Sequence, residues 1–460
     1  MRFNLIGKVN EFARSRSGSF AILTAMVAAV LALSAGFAVN LAQLYNVRSA
    51  LRSSLDSAVT STARDITTGV IDVKDAREWV ERFLIVNGEP TIMDGERIVL
   101  NTLVVDKLLG TLEATAYVDV AIYFPLFGSN KERRVSAQSS SLYSDKKIEV
   151  AMMLDVTDSM GGQKIKDLKT AASNAVDALT KNQKMDNPRV RIALVPYSDG
   201  VNVGALAKDV VFVEKSGGWD LPPPVDATKA EISNNTGTAS DNCATERKTV
   251  DLKADFTDDA PDSIRTRKIS GKSRDYPAKV NRDDRLNACA KAVLKPLSAD
   301  ADALKKQIND FSVAGYTAGA TGIQWTNYML SEKWAPAIKN AGLGDGPAKA
   351  DPKKIAKIAI LMTDGEFNTA HADVTGNVRS QGTKSRSYAE SLCETMKKNG
   401  IEVFTIGFKL TNNDAKGVMK KCASPDTGAF KRYYETSSGD ELNEAFLTIA
   451  RNIEALVLTN

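Results

Sequence analysis

Three short stretches carry oxygen-bearing side chains, two of them directly after apolar runs. In Asp155-Val156-Thr157-Asp158-Ser159-Met160, Asp155, Thr157 and Ser159 alternate, so three side-chain oxygens can converge on one point. Met362-Thr363-Asp364-Gly365-Glu366 delivers a second carboxylate. Between them, Gly315-Tyr316-Thr317-Ala318-Gly319 offers a hydroxyl on a turn before a helix. Hydroxyl and carboxylate oxygens around an open position suit a hard cation: Mg²⁺, Mn²⁺ or Ca²⁺. Alone, the first stretch says little, because Asp and Ser are common at strand ends and helix N-caps. Its weight comes from what precedes each carboxylate.

Lys147–Leu154, Val190–Tyr197, Ile355–Met362 and Ile401–Phe408 are nearly continuous apolar runs, and amphipathic helices are expected at Lys164–Lys181, Ala320–Lys339, Ser385–Lys398 and Asp440–Leu456. Buried-type strands alternating with helices predict a doubly wound, mostly parallel α/β sheet covered on both faces. Ligands bind beyond the carboxyl ends of such strands, where the Asp155 and Asp364 loops fall. Between about 200 and 300 the pattern breaks into a polar stretch with Pro222-Pro223-Pro224 near its start. It reads as a long loop insertion, partly ordered by Cys243 and Cys289, with a disordered linker as the alternative.

The Asp-x-Thr-x-Ser loop with a distant Thr and Asp resembles the metal-ion-dependent adhesion site (MIDAS) of von Willebrand A (VWA) domains, over roughly residues 147–450 with the insertion excepted. Carried over by position, Asp155, Thr157 and Ser159 match the first loop, Thr317 the second and Asp364 the third. Thr157 replaces a Ser and keeps the hydroxyl; Thr321 also lies near the second loop. The resemblance implies a metal with one coordination position left open for a partner's carboxylate.

Before this region the chain carries no charge from Ser17 to Val47, longer than the roughly 20 residues that cross a bilayer. Arg2, Lys8, Arg14 and Arg16 precede it against Glu11, so the positive-inside rule keeps the N-terminus cytoplasmic and exports the rest. A cleaved signal peptide, with Leu33-Ser34-Ala35-Gly36 as its small-residue site, is the alternative. Leu41, Leu44, Val47, Leu51, Leu55 and Val59 continue the helix as an apolar stripe, to pack on a partner helix or on the chain's own next domain. The block from Arg16 to Ile22, the apolar span and the block from Tyr45 to Val59 together resemble the N-terminal segment of TadE/TadG-like proteins of the Tad (Flp) pilus system. Residues about 66–145 predict a small α+β region, pilin-like in outline, with a helix over Asp75–Leu84 and strands over Arg97–Val104 and Glu113–Ile122. The expected division is therefore 1–65, 66–145 and 146–457, the membrane being crossed by residues about 18–41.

Composition narrows the function. Lys+Arg 60 against Asp+Glu 56 leaves a net charge of +4 in 460 residues, with no clustered basic face for nucleic acid. A single histidine, His371, excludes sites that need several imidazoles. A lone histidine is more often a surface or packing residue than a ligand. No P-loop or nucleophile elbow is present. Cys243, Cys289, Cys393 and Cys422 lack CxxC spacing; export makes two disulfides expected, Cys243–Cys289 and Cys393–Cys422, among three possible pairings. The expectation is a non-enzymatic, Mg²⁺-dependent (or Mn²⁺- or Ca²⁺-dependent) binding protein of the bacterial inner membrane. Its outward C-terminal domain would assist Tad pilus assembly, anchoring or surface adhesion through Tad components or another envelope protein presenting a carboxylate. The rivals are a structural envelope protein whose metal only stabilises the fold, and a metal-dependent hydrolase. The hydrolase is disfavoured because one metal in an all-oxygen site with no nearby histidine is poor at activating water.

Overall fold

The computed structural model describes residues 18–459 except 93–95, 107–109, 126–130, 144–145, 182, 184, 186–187, 219, 288 and 428–429. The chain forms two compact units, one drawn from residues up to 144 and the other from residues 145 onward together with 68–70.

The first unit is built on α1 (Gly18–Thr67), a 50-residue helix. Its first half is apolar and exposed, with Ile22, Met26, Val30 and Phe37 all at least 60% accessible, the pattern of a helix long and apolar enough to cross a membrane. From Val47 the character changes: Val47, Leu51, Leu55, Val59, Thr62 and Ile66 form a buried stripe at helical spacing. That stripe packs on the chain's own sheet of β1 (Val99–Asp106), β2 (Thr111–Ala121) and β3 (Glu132–Leu142), with a short helix α2 (Ala76–Phe83) beside it. The strands pair antiparallel in the order β1-β2-β3. Leu112, Ala114, Ala116, Val118 and Val120 of β2 are buried on one face while the residues between them are not, the period of two expected of a strand covered on one side. From Val47 onward the stripe thus packs on the chain's own domain, while Leu41 at its start is exposed.

The second unit holds a six-stranded sheet of β4 (Lys147–Asp155), β5 (Val190–Tyr197), β6 (Lys295–Ser298), β7 (Ile355–Thr363), β8 (Glu402–Phe408) and β9 (Tyr433–Thr436), in the order β6-β5-β4-β7-β8-β9. All neighbours are parallel except the edge strand β6. Alternation explains why the central strands are apolar throughout. Val150, Met152 and Leu154 of β4 pack under α3 (Gln163–Thr180), α4 (Ala301–Asn309) and α9 (Gly439–Thr459). Ala151 and Met153 pack under α5 (Gly319–Tyr328), α6 (Ala335–Asn340), α7 (Gly382–Lys398) and α8 (Asn413–Cys422) on the opposite face. The α/β, mostly parallel, doubly wound class expected from sequence is the class observed.

Three elements differ from the sequence expectation. The helix expected over Ala320–Lys339 is broken: α5 stops at Tyr328, Ser331 caps a 3₁₀ turn by accepting from the Lys333 amide, and Pro336 opens α6. The first region carries a third strand, β3. The polar insertion is ordered, with pairings of Val201–Asn202 with Cys243–Ala244, Val211–Val213 with Val280–Arg282, and Ile264–Ile269 with Lys272–Pro277. It ends before β6, so residues 295–298 belong to the sheet. Cys243 is bonded to Cys289, which ties the two arms of the insertion, and Cys393 of α7 is bonded to Cys422 at the end of α8, joining two helices around β8.

Candidate metal centre

The site forms where β4, β5 and β7 end side by side. Asp155 is the last residue of β4, in register with Tyr197 at the end of β5, and Thr363 is the last residue of β7. Asp155 is fully buried. Its Oδ1 accepts from the Thr157 amide (3.0 Å) and hydroxyl (2.6 Å). Its Oδ2 accepts from the Tyr197 hydroxyl (2.9 Å) and the Thr363 hydroxyl (2.8 Å). Thr157 Oγ1 lies 2.8 Å from Ser159 Oγ, and Ser159 donates to Asp364 Oδ1 at 2.6 Å. Four of the five residues singled out from sequence are thus joined by an unbroken run of hydrogen bonds.

The fifth arrives through the turn before α5. Gly315 adopts φ +76°, a conformation glycine takes at little cost, and its carbonyl accepts from the Asp158 amide at 3.0 Å. The turn is thereby held against the first loop. A Cβ built on Gly365 would lie 3.0 Å from Thr317 Oγ1 and 3.5 Å from Ser159 Oγ, so Thr317, Ser159 and the Asp364 loop border one small volume. The absence of a side chain at Gly365 keeps that volume clear. Thr321 lies within α5, fully buried, and among the described residues its hydroxyl has no hydrogen-bond partner.

Burial and the nearby Asp364 charge raise the Asp155 carboxyl from its ordinary 3.8 to about 6, against the pull of the Thr157 and Thr363 hydrogen bonds. Two carboxylates and three hydroxyls, buried except at the exposed Ser159, form a donor set that a hard divalent cation would satisfy. The residues present fit such an ion: Asp155, Thr157, Ser159, Thr317 and Asp364 would hold it directly or through water.

Sequence reasoning missed Tyr197, Thr363 and Lys164. Tyr197 and Thr363 read as ordinary strand residues, and only the alignment of strand ends brings their hydroxyls to Asp155. Lys164 stands in the first turn of α3, and its ammonium reaches Asp364 Oδ2 at 2.6 Å, while the Asp364 side chain is fully buried. A cation that binds Asp364 through that oxygen must share it with Lys164 or displace it. Lys164→Gln is therefore expected to tighten Mg²⁺ binding, on the order of tenfold if one charge-assisted hydrogen bond is relieved. Calorimetric titration of both proteins checks it; equal or weaker binding by the variant refutes it.

His371 is buried, with Nε2 3.2 Å from the Asp199 carbonyl oxygen and its own amide donating to Glu246 at 2.7 Å. It is a packing residue and does not join the five oxygens. Burial, partly opposed by the Asp283 charge, lowers its pKa from 6.5 to about 4. The folded state thus binds fewer protons than the unfolded chain below pH 6.5, and stability is lost as pH falls through that value toward 4. As the chain has one histidine, its imidazole proton resonance needs no assignment. It is expected to hold its neutral shift down to about pH 4.5 in the folded protein, and a midpoint near 6.5 refutes this reading.

The chain matches no family model and none of the curated proteins. Among solved structures it is similar to the vWF domain of the type V pili tip protein Mfa5 from Porphyromonas gingivalis, at 13% identity and TM-score 0.35, over 68% of this chain and 97% of that one. It is similar to the pilus adhesin SpaC from Lactobacillus rhamnosus GG, at 13% identity and TM-score 0.34, over 78% of this chain and 34% of that one. A third likeness is to proximal thread matrix protein 1 from the mussel byssus, solved with a zinc-occupied MIDAS motif, at 14% identity and TM-score 0.29, over 66% of this chain and 46% of that one.

Proposed function

We propose that this chain is a membrane-anchored, metal-dependent binding protein of the VWA type, acting in assembly or anchoring of a Tad (Flp) pilus or in surface adhesion. The observation that carries the reading is the convergence of Asp155, Thr157, Ser159, Thr317 and Asp364 at the carboxyl edge of the parallel sheet, four of them joined by the hydrogen bonds given above and Thr317 bordering the same volume at Gly365. A divalent ion held there, Mg²⁺ in the first instance, supplies a Lewis-acidic centre that a partner's carboxylate can complete. The chain's own residues bind and orient the ion, and Tyr197 and Thr363 fix Asp155 from behind. The partner is then a Tad component or another envelope protein with an exposed acidic side chain. The apolar half of α1 is the anchor, with the N-terminus cytoplasmic and the C-terminal unit outside.

The test is capture from envelope fractions by the full chain, with and without chelator, alongside an Asp364→Ala variant shown to be folded. Capture by the wild type that chelator and the variant both abolish supports the reading. Capture indifferent to both leaves a metal that only stabilises the fold. A reporter fused after Asn460 gives the orientation: cytoplasmic-type activity from that fusion overturns export.

A further inference from the structure

The first unit carries a feature that the metal centre does not use. Where β2 ends, the chain is tied to α1 by two amide side chains. Asn40 Nδ2 donates to the Phe124 carbonyl oxygen at 2.7 Å, and the Phe124 amide donates back to Asn40 Oδ1 at 3.0 Å. Gln43 Nε2 donates to the Ala121 carbonyl oxygen at 2.8 Å. These bonds hold Phe124 against Gly36, where an added Cβ would lie 3.5 Å from the Phe124 Cβ. Gly36 belongs to the apolar stretch of α1, so an aromatic residue from the loop after β2 is fixed beside the helix within its last apolar turns. Phe124 remains half exposed, as does Tyr123, and Phe37, Leu41 and Tyr45 on the adjoining helix face are more exposed still. Exposed aromatic residues gathered at the end of an apolar span are the pattern of a membrane–water interface.

Beside these residues lies a groove of about 910 Å³ between α1 and the sheet. Its walls include Arg48, Arg133 and Arg134 and, among the described residues, no carboxylate. Arg134 is committed to Asp119 through two hydrogen bonds of 2.8 Å. Arg48 and Arg133 make no ion pair among the described residues and are exposed. Arg133 pairs with Val120 across the sheet, and by the period of two it shares the helix-facing side with Val135. An apolar residue would serve that face better if packing alone mattered. Arg48 stands eight residues past Asn40, roughly 12 Å along the helix. A long side chain there can lie along apolar surface and present its charge at headgroup level.

We propose that this groove seats the headgroup phosphate of an anionic phospholipid, with Tyr123 and Phe124 dipping into the same leaflet and Arg48 and Arg133 binding the phosphate. The proposal rests on α1 crossing the bilayer and is independent of the metal centre. The occupant is a lipid because the groove adjoins an apolar span whose exposed side chains only a bilayer would cover, and because its uncompensated charge is positive.

The full chain carrying Tyr123→Cys, with a fluorescent donor on that thiol, is reconstituted into phosphatidylcholine vesicles. The native cysteines are all disulfide-bonded and do not label. Acyl-labelled phosphatidylglycerol or acyl-labelled phosphatidylcholine is added as acceptor at equal mole fraction, and a second protein carries the donor through Val30→Cys inside the span. Energy transfer from position 123 is expected to favour phosphatidylglycerol, by roughly fivefold in local enrichment per arginine at low salt. The Arg48→Gln/Arg133→Gln variant is expected to lose that preference while transfer from position 30 is unchanged. Equal transfer to both lipids in the wild type, or a preference that survives the double variant, overturns the proposal; a protein partner for the groove would give the first of these results. Transfer from position 30 with none from position 123 overturns it with the anchor standing. No transfer from either position removes the membrane-spanning reading as well.

Discussion

Addition of Mg²⁺ to the full chain is expected to raise the melting temperature of its C-terminal unit, and Asp364→Ala or Thr157→Ala to abolish or sharply reduce that rise. An ion that binds only the folded state stabilises it by about 2.7 kcal/mol at a hundredfold excess over Kd. For a unit of this size that is on the order of 5 °C. The effect has a pH signature. The Asp155 carboxyl is raised from 3.8 to about 6 by burial and by Asp364. A raised acid favours folding below its unfolded value, and that contribution is lost as pH rises through the folded value of about 6. The metal-free protein therefore loses stability as pH rises from about 4 to about 6 and carries the full penalty above 6, where an ion between the two carboxylates offsets it, so the gain from Mg²⁺ should be larger at pH 7.5 than at pH 5. Scanning calorimetry at the two pH values, with Mn²⁺ and Ca²⁺ in parallel, checks this. Asp155→Ala is the less clean variant, because it also strips the buried Tyr197 and Thr363 hydroxyls of an acceptor. A melting temperature indifferent to all three ions leaves the fold intact and removes the proposed function.

The parts of this protein legible in its sequence are those where burial is two-sided or periodic. Strands β4, β5, β7 and β8 lie between two layers of helices, so nearly every position is apolar and the runs stand out. The edges do not. β6 is Lys295-Pro296-Leu297-Ser298, with a proline that only an edge or a bulge tolerates, and β9 is the short Tyr433–Thr436. β3 is almost wholly polar, since among its residues only Val135 and Ser139 are buried. Of the three loops of the candidate site, those of Asp155 and Asp364 were legible because they follow apolar strands directly, and that of Thr317 because its turn opens a helix. What supports them was not. Tyr197 has the composition of a strand residue, and Lys164 lies 200 positions from the carboxylate it holds. The insertion misleads for a related reason. Charged residues normally mean solvent, yet Glu214, Lys248 and Asp283 are buried, and Lys248 meets Glu214 and Asp283 across 34 and 35 positions, too far apart in sequence to be read as partners.

That buried network carries the other large expected effect. Lys248 Nζ donates to Glu214 at 2.8 and 2.9 Å, to Asp283 Oδ2 at 2.8 Å and to the Gly218 carbonyl oxygen at 3.2 Å, with all three charged side chains at 1% exposure or less. Glu214, Asp283 and Asp284 lie close enough to suggest a second metal site, but the ammonium of Lys248 already satisfies the two buried carboxylates. Lys248→Met should therefore cost about 3–5 kcal/mol, the penalty of leaving buried charge without its partner. The loss should appear first as faster amide exchange in the paired segments Val211–Val213 and Val280–Arg282, which the network joins. Burial raises Glu214 from 4.5 to about 7, with Lys248 opposing the shift and Asp283 adding to it. Removing Lys248 removes the opposing pull, so the carboxyl of the variant takes up a proton more readily, and a protonated Glu214 needs no counter-charge. The cost of Lys248→Met should thus be smaller at pH 6 than at pH 8, as read from denaturant unfolding at each. Glu214→Leu added to Lys248→Met should recover much of the loss, because Asp283 keeps Arg285 at 2.7 Å and the Glu214 carboxylate that Lys248 had neutralised is gone. If Lys248→Met unfolds and exchanges as the wild type does, the insertion is held by its disulfide and short strands, and the buried charges are incidental to its order.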